Sequence, residues 1–64
     1  MIAETYQSLI DQAIAKIDPE LESVNIRDIL PRIELVKFGM LTDEQQSLIL
    51  DELTYETGVT VTYL

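Results

Sequence analysis

Thr42 and Gly58 bracket the one stretch of this chain whose secondary structure is signalled at both ends. Thr42 with Gln45 three residues on forms a T-x-x-Q capping box. Asp43 and Glu44 fill the first turn, where the helix dipole favours carboxylates. Gly58 is the natural left-handed stop, and Val59 beyond it is placed to fold back on Leu53, as in a Schellman ending. The spacing predicts a helix over this whole stretch, and the rest of the chain is organised around it. At 100° per residue its inward face is Ile49, Leu50 and Leu53, with Gln46 and Thr57 at the edge.

A second helix is expected from about Ala3 to Ile17. Ile2, Tyr6, Leu9, Ile10, Ala13, Ile14 and Ile17 recur at steps of three and four, and Glu4, Ser8, Asp11, Gln12 and Lys16 take the other side. Asp18-Pro19 ends it, because the residue before a proline is pushed out of the α region. Asp18 then caps a short turn with Glu20 and Glu22 outward and Leu21 inward, a solvated connection. Asn25 begins a short helical piece, Ile26 to Leu30, with Asp28 as its box partner and Val24 and Ile29 placed for a hydrophobic staple. Pro31 stops it.

Arg32–Phe38, RIELVKF, reads two ways. Ile33 and Leu35 alternate with Arg32, Glu34 and Val36, and the β-branched and aromatic content favours a strand. Pro31 opening and Gly39 closing a two-turn helix is the alternative. Val59–Leu64, VTVTYL, is a strand with Val59, Val61 and Tyr63 on one face and Thr60, Thr62 and Leu64 on the other. The expected order is helix, short helix, strand, helix, strand. This is a single small α+β domain over residues 1–64 with its helices on one face of a two-stranded sheet, parallel if the long helix is the crossover. A sheet of two strands leaves edges open, so a strand supplied by a partner or a second copy is a further expectation, and antiparallel pairing stays open.

Sixty-four residues sit near the lower limit for a core that folds unaided, although 47% of them are hydrophobic. Twelve acids against four bases give a net charge of −8. That excess argues against direct nucleic-acid binding and against anionic membrane surfaces, and favours a basic protein surface as partner. There is no Cys and no His, which removes disulfides, thiol and histidine nucleophile pairs and the usual zinc sites. Glycine-rich phosphate loops and EF-hand spacing are absent, and adjacent carboxylates such as Asp51 and Glu52 diverge by about 100° on a helix. No catalytic residue, cofactor or metal is expected. Met1 is followed directly by amphipathic sequence with no signal peptide, so a cytoplasmic protein is the expectation.

Unusual surface chemistry is confined to the long helix. Its outer side carries Glu44, Leu48, Asp51 and Tyr55 at steps of four, three and four, with Glu52 and Glu56 alongside. From Phe38 to Leu64 there are acids and no Lys or Arg. The carboxylates would supply recognition of a basic surface and the Leu and Tyr its apolar anchors. The plainer alternative packs Leu48 and Tyr55 under the first helix and leaves the acids as a solvated face. The functional expectation is a non-enzymatic acidic inhibitor that occludes a nucleic-acid-binding surface, as phage-encoded nucleic-acid mimics and blockers of CRISPR nucleases do. The alternative is an antitoxin-like or structural subunit that binds through the edge of Val59–Leu64, including a homodimer through that edge.

Overall fold

Helix α1 spans Glu4–Lys16 in the computed structural model, which describes residues 4–64. Leu9, Ile10, Ala13 and, just past the helix, Ile17 are buried, with Tyr6 and Ile14 packed beside them. The apolar spacing in the sequence is therefore the inward stripe. Ile2 and the expected start at Ala3 lie outside the described residues. After the helix, Asp18 Oδ1 accepts the Glu20 N–H at 2.9 Å and the Asp18 carbonyl accepts the Leu21 N–H at 3.1 Å. This is the expected capped turn, but Leu21 is exposed rather than inward.

Strand β1, Ser23–Asn25, occupies residues that read in the sequence as the approach to a helical cap. Asn25 does both jobs. It ends the strand, and its Oδ1 accepts the Arg27 N–H at 3.1 Å to cap a single 3-10 turn, Ile26–Asp28. The cap bond thus falls two residues on, so the box with Asp28 is not what holds the turn. Ile26, Ile29 and Leu30 are buried by it.

Arg32–Gly39 is helix α2, not the strand that the alternation favoured. Pro31 opens it, its carbonyl accepting the N–H of Glu34 and of Leu35, each at 3.0 Å. The deciding factor is which side chains the core can reach. Phe38 is fully buried and Leu35 packs against the core, three residues apart on one helical face, while Ile33 and Val36 are 66% and 57% exposed. A strand would send Leu35 and Phe38 to opposite faces and bury only one of them.

Helix α3, Asp43–Thr57, packs on α1 and on strand β2, Thr60–Thr62. The strands β1 and β2 pair in parallel, Ser23 opposite Thr60, Val24 opposite Val61 and Asn25 opposite Thr62. The α+β class and the two-stranded parallel sheet therefore agree with the sequence reading. Its first strand is Ser23–Asn25 rather than Arg32–Phe38, and the crossover carries the 3-10 turn, α2 and α3. Val24 and Val61 lie side by side facing the core, and Ser23 and Thr60 of the other face are exposed. Phe38, Ile10, Ile26, Ile49, Leu53 and Val59 are the largest fully buried side chains. Each contributes about 1.5–3 kcal/mol by leaving water. Among the described residues, no helix is long and apolar enough to cross a membrane.

Candidate protein-binding face

Both ends of α3 are closed by side-chain hydrogen bonds. At the start, Thr42 Oγ1 accepts the Gln45 N–H and Gln45 Oε1 accepts the Thr42 N–H, both at 3.1 Å, completing the capping box. Gln46, an expected edge residue, has a role the sequence did not suggest. Its amide donates to the carbonyls of Phe38 at 3.1 Å and Leu41 at 3.3 Å, binding the end of α2 to the start of α3. At the far end Gly58 is left-handed with φ 73°, and its N–H reaches the Thr54 carbonyl at 2.9 Å. The longer Schellman bond is replaced by a relay. Val59 donates to Thr57 Oγ1 at 3.1 Å, and that hydroxyl donates to the Leu53 carbonyl at 2.7 Å.

This frame sets the phase of the helix. Ile49 and Leu53 are buried, Leu50 packs against the core, and Gln46 and Thr57 are half-buried at the margin. The opposite side is Glu44, Leu48, Asp51 and Tyr55, all exposed. The stripe runs about 16 Å at 1.5 Å per residue. Leu48 is 57% exposed and Tyr55 82% exposed, so neither packs under α1. Glu56 is exposed beside Tyr55, and Glu52 is half-buried. Among the described residues the one ion pair joins Lys37 to Glu34 at 3.5 Å on α2, so the carboxylates of α3 have no cationic partner there.

Such a surface holds fixed negative charge around two uncovered apolar side chains. Chemically it can meet Lys and Arg with its carboxylates and bury an alkyl and an aromatic group in the same contact.

The edge of β2 away from β1 is differently equipped. Thr60 sends its N–H to the Glu22 carbonyl at 3.1 Å, so Val61 points its own away from β1. That N–H donates to Thr54 Oγ1 at 3.0 Å, and the Val59 N–H is held by Thr57. Two donors that an added strand would pair with are engaged by threonine hydroxyls of α3. The sequence signal for this was the pair of threonines one turn apart at the end of the helix, Thr54 and Thr57.

No protein-family model matches the chain, and neither a curated protein nor a solved structure is found to be similar to it.

Proposed function

We propose that this protein is a small acidic binding module that occludes a basic, nucleic-acid-binding surface of another protein. Carboxylates of α3 stand in for phosphates in a channel lined by Lys and Arg, in the manner of phage-encoded inhibitors that block nucleases, CRISPR effectors among them. The observation that carries the reading is the exposure of Leu48 and Tyr55 within the acids Glu44, Asp51, Glu52 and Glu56, which have no ion-pair partner among the described residues. Charge steers the encounter, and the two apolar side chains supply binding that survives screening. An inhibitor of this kind acts in the cytoplasm, where its nuclease target works. The edge of β2 is the weaker reading, because the Val59 and Val61 amides are already bonded within the chain.

The test replaces Asp51 and Glu56 together by Lys. Both are exposed, and a Lys at position 56 suits the dipole at the helix C-terminus, so the fold is retained. Wild-type bait is expected to retain, at low salt, proteins whose binding to DNA or RNA it then inhibits. The doubly substituted bait is expected to lose them, and Tyr55→Ala to release them faster. Equal retention and inhibition by the double variant with unchanged circular dichroism rules this face out.

A further inference from the structure

The chain holds four bases against twelve acids, and two of the four, Arg27 and Arg32, line one open cleft of about 380 Å³. The rest of the lining is Leu35, Val36, Gly39 and Tyr63, with no acidic side chain among them. In so acidic a chain this is the reverse of what chance placement gives. The acid nearest in the helix, Glu34, is paired with Lys37 at 3.5 Å and does not line the cleft. Arg32 has no ion-pair partner among the described residues. Arg27 uses its Nη1 on the main-chain oxygen of Leu64 at 2.8 Å, which holds the guanidinium in place, and its other donors have no hydrogen-bond partner among the described residues.

The remaining walls are also held. The Tyr63 ring stands edge-on to buried Phe38, with centroids 4.9 Å apart and planes at 83°. At Gly39 no side chain intrudes, and a Cβ there would come to 3.7 Å from the Tyr63 hydroxyl. Arg32, Leu35, Val36 and Gly39 follow the three- and four-residue spacing of a helix face, so α2 forms one wall, and the 3-10 turn and the chain after β2 form the other.

We infer that this cleft is a binding site for a small organic anion, a carboxylate or phosphate carried on an apolar, flat body. Two guanidinium groups suit a planar or tetrahedral oxyanion through paired N–H donors. Leu35, Val36 and the Tyr63 ring suit the body that carries it. The volume lies at the small end of the roughly 300–1,000 Å³ of ligand pockets, which fits a metabolite-sized molecule. The site shares no residue with the acidic face of α3 and is independent of the function proposed for it.

The experiment is a titration of 15N-labelled protein, followed by NMR, with sodium benzoate, phenyl phosphate and inorganic phosphate, each against sodium chloride of matched ionic strength. Benzoate or phenyl phosphate is expected to give saturable shifts at the amides of Val36, Gly39 and Tyr63. Whichever saturates first identifies the oxyanion as carboxylate or phosphate. Arg32→Gln, and separately Arg27→Gln, are expected to weaken binding at least about fivefold, with the remainder of the spectrum unchanged. The inference is overturned by shifts no larger than those with chloride, by an affinity indifferent to Arg32→Gln, or by inorganic phosphate binding as tightly as phenyl phosphate.

Discussion

The Thr54 hydroxyl accepts the Val61 N–H across 3.0 Å, so the last turns of α3 provide the acceptor that a neighbouring strand would otherwise provide. Replacing Thr54 with Val keeps the shape and removes the acceptor. The Val61 amide is then left half-buried without a partner, at a cost of about 1–3 kcal/mol. Thr54→Ser restores the acceptor and is expected to stay near wild type. Urea unfolding of the two variants measures the difference, and equal midpoints would mean that water replaces the hydroxyl.

The two glycines are expected to respond in opposite directions. Gly58 sits at φ 73° with open space where a Cβ would stand, so Gly58→Ala meets only backbone strain, about 1–2 kcal/mol. Gly39 belongs to α2 and has no positive φ, so Gly39→Ala is expected to stabilise by about 0.4–1 kcal/mol. Thermal melts of both variants check the pair of signs.

Leu53 and Leu48 lie five residues apart on one helix and test its phase. Leu53 is fully buried, and Leu53→Ala is expected to cost about 2–5 kcal/mol, enough to unfold most of so small a domain. Leu48→Ala is expected to stay within about 0.5 kcal/mol, because Leu48 is exposed. Circular dichroism melts decide it, and similar losses from both would contradict the assigned orientation.

A net charge of −8 with one ion pair among the described residues makes the folded body self-repelling. Raising salt from about 10 mM to about 150 mM shortens the screening length from about 30 Å to about 8 Å. The melting temperature is expected to rise by on the order of 4 °C, as about 1 kcal/mol produces in a domain of this size. A melting temperature that stays flat would show that the acids lie too far apart to oppose folding.

What the sequence disclosed depended on how local each signal was. The capping box at Thr42 and Gln45, the stop at Gly58 and the stripe of α1 are contained within a few residues of themselves, and each was legible. Ser23–Asn25 was not, because three residues with one apolar side chain become a strand only through pairing with β2. Arg32–Phe38 fits two periods, and only the reach of Leu35 and Phe38 into the core separates them. The acidic stripe followed from helix phase alone. The Arg27–Arg32 cleft did not, since its walls come from the 3-10 turn, α2 and the chain after β2, and nothing local joins them.

The sheet has a kinetic consequence. Ser23 pairs with Thr60, and between them lie the 3-10 turn, α2 and α3. Among the described residues neither three-residue strand has another strand to pair with, so the sheet cannot form ahead of the helices that bring its halves together. Pairing across so wide a sequence separation adds loop-closure entropy to the folding barrier and ties the sheet to the complete tertiary structure. Slow hydrogen exchange at the Thr60 amide, which is held by the Glu22 carbonyl, would then report unfolding of the whole domain and not fraying of a small part.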